Sequence, residues 1–439
     1  MGRAVPRDPV DALVGLERFG IKPGLDTIHE LTAASGKPQA AYRSITVAGS
    51  NGKGSVVAMI DSALRAAGYR VGRYTSPHLT ALAERFVVDG NQISERELRI
   101  EAERLHHQVN RLVSDGRLSE PPTFFEATTA MALSWFRHAG VELALLEVGL
   151  GGRFDATNIV TPVAGVITPI TLEHCQYLGD TVEAIAREKA GIVKSGMVVV
   201  TTETTPTVVA LLEQACHQNG ARLVQAIQGT TVEISSTKNP RAIQVTTPTR
   251  TYPSFEMGLS GAHQISNGIG AIRLLEELPE LGIPVDIDAV VKGLSTVVWP
   301  GRLERVEITG RGTVLFDAAH NPAAAAALAD YLREAFPSGL PLVLAVMNDK
   351  DIGGIVQQLA PSATHIVCTA PDNPRAVPAE ALAERVRQTT GTTVVTACQD
   401  PQRAMEAAWN QSQTICVTGS IFLVGELLTM LQFHRSAPH

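Results

Sequence analysis

"SITVAGSNGKGS", Ser44 to Ser55, runs from an apolar stretch into a glycine-rich turn that carries one lysine. Beyond it, "SVVAMIDSALRAAGY" repeats its apolar positions at helical spacing. A strand that passes through glycines into a helix is the frame of a phosphate loop. Glycine lets the backbone approach an anion, and the helix N-terminus offers free N–H groups and a positive dipole end. The spacing nevertheless departs from GxxxxGK(S/T): Val47 stands six residues before Lys53, and Gly54 separates Lys53 from Ser55. Asn51, Gly52, Lys53, Gly54 and Ser55 are the nucleotide-binding candidates. Lys53 can neutralise phosphate oxygens, and Ser55 can reach Mg2+ or phosphate. An ordinary glycine turn is the plain alternative.

The alternation continues downstream. "ELALLEVG", "VAGVITPI" and "GMVVVTT" read as buried strands, with "TVEAIAREKAGIV" helical between the last two. That order predicts a mainly parallel sheet covered on both faces. Residues 230–257 hold many β-branched residues and turn formers and predict a small antiparallel addition. A helix is expected near "HQISNGIGAIRLLEEL", and "WPGR", Trp299 to Arg302, punctuates the chain where a domain junction could fall. Then "TVLFDAAH", "PLVLAVM", "THIVCTA", "TTVVTAC" and "TICVTGS" restart the alternation. The expected fold is α/β: an N-terminal P-loop-type parallel-sheet domain with a small antiparallel addition (residues 1–298), plus a C-terminal Rossmann-like α/β domain (residues 299–439).

At 439 residues the chain exceeds one ordinary core. A net charge of -7 argues against nucleic acid as the main partner. No stretch approaches the ~20 apolar residues of a membrane span, and the amino terminus lacks the apolar core of a secretory signal. The five cysteines are scattered without a CxxC pair, which fits reduced thiols in a cytoplasm and no zinc site of standard spacing. Cys175, beside His174, is expected to be a buried, inert thiol.

Several single residues carry chemistry. Glu147 ends an apolar strand with glycines and Arg153 just beyond, where ligands of open α/β sheets gather; its carboxylate is a hard ligand suited to Mg2+. A solvated loop acid is the alternative. His174 taken alone reads as structural more often than as a ligand, and Lys189 of "REKAGI" reads as a surface lysine paired with Glu188 or a nearby acid. Asn267 taken alone reads as a helix cap or turn residue. Arg302 either pairs with Glu304 or Glu307 or binds phosphate through its planar guanidinium. Asp317 and His320 end the first strand of the second domain, and Ser420 the last. Phe125 is a core residue or a platform for a flat ring.

"GSNGKGS" resembles the ATP loop of the Mur ligase superfamily. Gly54, where cell-wall Mur ligases tend to have threonine, resembles its folylpolyglutamate synthase/dihydrofolate synthase branch. "YTSPHL", "FFEATT", "LEVGLGGRFDATN", "REKAGI", "GAHQISN", "WPGRLE", "DAAHNP" and "NDKD" also look like that family and follow its order. The resemblance implies an ATP-dependent amide ligase that adds L-glutamate to the γ-glutamyl tail of reduced folates, with the joining of glutamate to dihydropteroate, carried out by some members, as a second activity to test. It assigns Ser76, Glu147, His174 and a carbamylated Lys189 to two Mg2+ ions. Asn267, Arg302 and Asp317 fall to ATP; Lys53, Lys189 and His320 to catalysis; Phe125, Glu126, Gly152, Arg153 and Ser420 to the other substrates. "FGIKPGLDTI", Phe19 to Ile28, resembles a pterin-side segment. Glu173 stands where the family usually has aspartate. The expected partners are ATP, L-glutamate and a reduced folate or dihydropteroate, the expected assembly a monomer, and the expected location the cytoplasm. Three rivals remain: a ligase for UDP-muramyl precursors, a P-loop ATPase without ligase activity, and a non-catalytic nucleotide-binding regulator. Gly54 and the lack of a separate UDP-binding domain before residue 44 count against the first.

Overall fold

The computed structural model describes residues 8–20, 22–235, 242–391 and 393–435. They fall into two compact units, one within Met1–His78, Leu82–Gly258 and Ser266–Val297, the other within Leu79–Ala81, Leu259–Ile265 and Val298–His439.

In the first unit the strand before the glycine turn is β1 (Arg43–Ala48), buried in all but its first residue. The others of its sheet are β2 (Val71–Tyr74), β3 (Phe86–Val88), β4 (Asn91–Gln92), β5 (Leu143–Glu147), β6 (Ala164–Ile167), β7 (Val198–Thr201) and β8 (Arg222–Gln225). They form one sheet in the order β4-β3-β2-β5-β1-β6-β7-β8. β1 lies centrally, parallel to β5 and β6, with Val47 opposite Glu147. The phosphate-loop turn and the end of the acidic strand therefore share the carboxyl edge of the sheet. The antiparallel edge β2-β3-β4 was not anticipated; its outermost strand is two exposed residues, too short to show a period.

Two apolar clusters lie side by side on one face of the sheet, one built around Tyr74, Phe86, Leu133 and Phe136, the other around Ile167, Ile185, Val199 and Leu212. Ile45, Val47, Leu145 and Val166, which face the other way, are buried as well. This accounts for the near-continuous hydrophobic runs of β1, β5, β6 and β7. The expected antiparallel addition is a three-stranded sheet of β9 (Thr231–Ile234), β10 (Ala242–Thr246) and β11 (Phe255–Glu256), in the order β11-β10-β9. Residues 236–241 of that expectation lie outside the described residues, as does Ile21 of the "FGIKPGLDTI" segment.

The second unit holds β12 (Glu304–Ile308), β13 (Gly312–Phe316), β14 (Leu340–Leu344), β15 (Ala363–Cys368), β16 (Val394–Ala397) and β17 (Thr414–Thr418), in the order β12-β13-β17-β14-β15-β16. The expected strands are β13 to β17, all parallel. β12 is an added antiparallel edge strand. Side chains cap its helices as the sequence dictates. Asn321, Asp351 and Asp400 accept from the amides of Ala324, Gly354 and Arg403 and start the helices Pro322–Ala335, Ile352–Leu359 and Pro401–Trp409.

Candidate functional site

Two of the loop glycines are required by shape. Gly49 has φ 140°, and a Cβ placed on it would lie 1.8 Å from Thr168 Oγ1. Gly52 has φ 86°, and its Cβ would meet Asn267 Oδ1 at 2.3 Å, so Asn267 packs directly on the turn. Ser50 fixes the loop from below: its N–H donates to Pro169 O at 3.0 Å, and its hydroxyl accepts from Thr171 N at 3.1 Å. The helix Lys53–Ala66 follows, with no side-chain cap on its first amides. Lys53 Nζ turns back over the loop and donates to the carbonyls of Gly49 (3.0 Å) and Ser50 (3.1 Å). Ser55 is buried in the first turn.

Lys189 closes the helix Val182–Lys189, whose N-terminus Thr181 caps. It is a buried residue, not the surface lysine that composition favours. Its Nζ donates to Gly49 O and to Glu173 Oε1, each at 2.7 Å. Glu188, the neighbour expected to pair with it, instead meets Arg153 Nε at 3.3 Å. Burial lowers the Lys189 amine to about 8, with the Glu173 charge working against that shift. Burial pushes Glu173 the other way, upward, but Lys53 and Lys189 outweigh it and bring the carboxyl to about 2.

Glu147 is buried at the end of β5, not solvated on a loop, and its Oε2 accepts from the backbone N–H of Ser76 at 3.1 Å. His174 takes a left-handed conformation (φ 47°) and precedes the short helix Cys175–Leu178. Ser76 and His174 line one cavity. A carboxylate, a hydroxyl and an imidazole are the donor types that suit a divalent cation keeping phosphate and water as further ligands, as Mg2+ does. Among the described residues no three His, Cys, Asp or Glu side chains form a ready-made cage. Cys175 departs from expectation: it is exposed, because the four-residue helix it opens buries only Leu178.

The cavity measures about 350 Å3, and Phe125, Glu126 and Gly152 are among the residues that line it, together with Gly20, Lys22, Pro23 and Gly24 of the amino-terminal segment. Arg153 and Ser420 are not among them. Glu126 is committed locally: its Oε2 accepts from the N–H and the hydroxyl of Thr123, each at 2.8 Å, in a capping box that starts the helix Phe124–His138. Gly152 admits no side chain, since a Cβ would lie 2.8 Å from the carbonyls of Glu188 and Lys189.

Two residues of this wall, Asp155 and Arg85, escaped the sequence reading, as did His78, which Arg85 holds. Asp155, fully buried, accepts from the amides of Gly149 (3.0 Å), Leu150 (2.8 Å) and Thr157 (2.9 Å), and so shapes the glycine loop after β5. Its position in "DAT", as an N-cap, was the available signal. Arg85 stands 5.0 Å from the centre of the Phe124 ring, and its Nε donates to His78 Nδ1 at 3.0 Å. Burial and the Arg85 charge lower His78 to about 4. Nothing in the spacing of His78 and Arg85 announces that bond.

In the second unit Asp317 directly follows β13 and is buried, its two oxygens accepting from Leu303 N (3.1 Å) and Ala319 N (3.0 Å). Burial raises its carboxyl, and the charges of Arg302 and His263 oppose the rise. Those three side chains thus form one electrostatic group. Glu304, offered as a partner for Arg302, accepts from Gly301 N at 2.9 Å. His320 Nδ1 lies 2.9 Å from Ala318 O. The Ser420 hydroxyl accepts from Phe422 N at 3.1 Å, at the start of the helix Ile421–Arg435.

Comparison with known proteins gives two family matches. Residues 47–275 match the Mur ligase middle domain, and residues 301–421 match the Mur ligase glutamate ligase domain. The chain is 33% identical over 426 residues to the dihydrofolate synthase/folylpolyglutamate synthase of Bacillus subtilis, covering 95% of this chain and 97% of that one. It is 36% identical to a probable bifunctional folylpolyglutamate synthase/dihydropteroate synthase of Halobacterium salinarum, of which it spans only 50%; a Haloferax volcanii relative gives the same share. The chain therefore spans about half the length of these two archaeal relatives. Among solved structures, Mycobacterium tuberculosis folylpolyglutamate synthase complexed with ADP and AMPPCP superposes with a TM-score of 0.88 at 34% identity, covering 96% of this chain and 99% of that one. An Escherichia coli protein in complex with DHPP and ADP gives 0.85 at 29% identity, covering 99% and 100%.

Proposed function

The chain belongs to the folylpolyglutamate synthase/dihydrofolate synthase branch of the Mur ligase family, and from that premise we propose that it is an ATP-dependent ligase joining L-glutamate to the carboxyl end of a folate. The substrates are ATP, L-glutamate and a reduced folate, with dihydropteroate as a second acceptor. The single observation that carries this reading is one of position. The phosphate loop follows β1, Glu147 ends the neighbouring parallel strand β5, and Glu147 bonds the backbone of Ser76, which lines a cavity of about 350 Å3. An organic acid held in the cavity is thereby presented to a triphosphate held by the loop.

The chemistry follows from the barrier. A carboxylate does not condense with an amine in water, because oxide is too poor a leaving group. One carboxylate oxygen takes the γ-phosphoryl group of ATP and ADP leaves; the resulting acyl phosphate, a mixed anhydride, accepts the glutamate amine at its carbonyl carbon and expels phosphate as the amine proton is lost. Lys53 leaves its loop carbonyls for the phosphoryl oxygens and stabilises the charge that develops on them. Ser76, Glu147, His174 and Lys189 are the residues that would hold Mg2+. Bound there, two such ions would neutralise phosphate charge and align the transferring group. Lys189 serves as a ligand once carbamylated, and its buried amine, lowered to about 8, is neutral more often than an ordinary lysine, which is the form that adds carbon dioxide. Arg302, Asp317 and Asn267 contact the nucleotide in this proposal, and His320 and Ser420 the incoming glutamate. The reaction is placed in a cytoplasmic monomer. Among the described residues no helix is long and apolar enough to cross a membrane.

The test is an incubation with Mg-ATP, tetrahydrofolate and labelled glutamate. Lengthened folate in step with ADP supports the ligase; ADP released at the same rate without folate or glutamate indicates an ATPase instead. Replacing tetrahydrofolate by dihydropteroate tests the second acceptor.

A further inference from the structure

The cavity of the first unit is walled at its open side by two large aromatic side chains that water reaches: Phe154 is 52% exposed and Tyr177 48%, and both line the cavity. By contrast Tyr74, Phe86, Phe136 and Phe316 are fully buried. An exposed ring at a cavity mouth leaves apolar surface in water until something flat covers it.

Neither side chain sits on a loose segment. The chain around Phe154 is pinned on both sides: Arg153 N–H donates to Glu188 O at 2.9 Å, and Asp155 N–H to Gly152 O at 3.2 Å, while Gly191 lies so close to Arg153 Cα that a Cβ there would come within 2.5 Å. Tyr177 belongs to the helix Cys175–Leu178, whose N–H groups at Tyr177 and Leu178 return to His174 O at 2.8 and 3.1 Å. Leu178, its buried residue, packs on Gly151, where a Cβ would lie 2.9 Å away. The two aromatics are thus carried by segments packed on one another through the glycine loop that Asp155 organises. Aromatic rings carried on a fixed backbone present large apolar area at a defined place, with only two side-chain torsions to settle on binding. The enclosed volume, about 350 Å3, is that of a small-molecule site and not of a protein interface.

We infer that Phe154 and Tyr177 are specificity-determining residues that pack on the flat ring system of the folate or dihydropteroate at the cavity mouth. They touch the substrate far from its reacting carboxyl, so they set folate affinity and not the chemistry of phosphoryl transfer. The inference rests on the proposed function above.

The test is steady-state kinetics on Phe154→Ala, Tyr177→Ala, the double variant and Tyr177→Phe, with tetrahydrofolate, ATP and glutamate varied in turn. Each alanine variant is expected to raise the folate KM about three- to tenfold, the worth of one aromatic contact. The double variant should raise it further, with the KM for ATP and for glutamate unchanged and the melting temperature that of wild type. Tyr177→Phe should behave as wild type, because the ring and not the hydroxyl makes the contact. A double variant that ligates with the wild-type folate KM overturns the inference while leaving the ligase reading intact. An equal rise in the KM for ATP overturns it too, since that marks general damage to the loop. A wild-type protein that ligates no folate refutes the function and this inference with it, and the first column of the same experiment reports that outcome.

Discussion

Lys189 Nζ lies 2.7 Å from Glu173 Oε1 and the same distance from the carbonyl oxygen of Gly49. One buried ammonium thus ties the end of a helix, the residue before His174 and the first glycine of the phosphate loop into a single joint. The Glu173 carboxylate is also drawn by the Lys53 charge. Glu173 departs by one methylene from the aspartate that the family resemblance leads one to expect, and this joint is where the extra length is used.

Breaking the joint from the acidic side leaves a buried cation with one carbonyl for company. Glu173→Gln is expected to lower unfolding free energy by about 3 kcal/mol, the usual penalty for orphaning one partner of a buried pair. Glu173→Asp, which keeps the charge, should lose less. Denaturant unfolding of the three proteins decides it; equal midpoints for wild type and Glu173→Gln would show that the pair does not hold the loop.

Removing the loop cation has a different signature. Lys53→Ala should leave the melting temperature within a few degrees of wild type, since the ammonium's hydrogen bonds go to its own loop carbonyls and Lys189 still pairs with Glu173. Turnover should fall by about 10^3, as for loss of a single group that stabilises developing charge. Activity within tenfold of wild type would remove Lys53 from its assigned role.

Gly52→Ala tests the shape of the turn. The left-handed φ costs roughly 1–2 kcal/mol for any L-residue with a Cβ, and the added atom meets Asn267 Oδ1 at 2.3 Å. The variant is expected to bind ATP at least tenfold more weakly in equilibrium dialysis while still folding. Wild-type ATP affinity would mean that the turn does not cradle the nucleotide.

His78 gives a pH dependence. Its native pKa, about 4, lies below the ordinary histidine value because burial and the Arg85 charge disfavour a second proton. The unfolded chain therefore takes up a proton first as pH falls. The stabilising contribution is complete above about 6.5 and is lost progressively as pH drops towards 4. Thermal melts from pH 7 to 4 should fall more steeply for wild type than for His78→Gln, and parallel curves would contradict this assignment.

The central strands and the phosphate loop were legible because each is a local pattern: an apolar run, a glycine turn, a helical period. So were β13 to β17. β12 was missed because "ERVEI" carries three charges in five residues on a strand whose burial is mixed, and β3 and β4 were missed because a three-residue and a two-residue strand have no period to read. The site divides in the same way. Gly49, Gly52 and Lys53 announce themselves in seven residues. The partners of Lys189 and Asn267 do not: Gly49 lies 140 residues from Lys189, and only the folded sheet brings them together. Arg85 and His78 are close in sequence, yet their bond depends on a bend of the chain before β3 that no single motif encodes. Cys175 was misjudged for a related reason. Cysteine is usually buried, but here it opens a one-turn helix whose anchoring residue is Leu178.

The central claim is that the folate carboxyl is activated by taking a phosphoryl group before the amine arrives. Folate labelled with 18O in its terminal carboxyl, turned over with Mg-ATP and glutamate and analysed by mass spectrometry of the released phosphate, tests that claim most directly. One 18O atom in each phosphate is the predicted result, because the oxygen that receives the phosphoryl group leaves with it. Phosphate free of 18O alongside normal ligation would contradict the account.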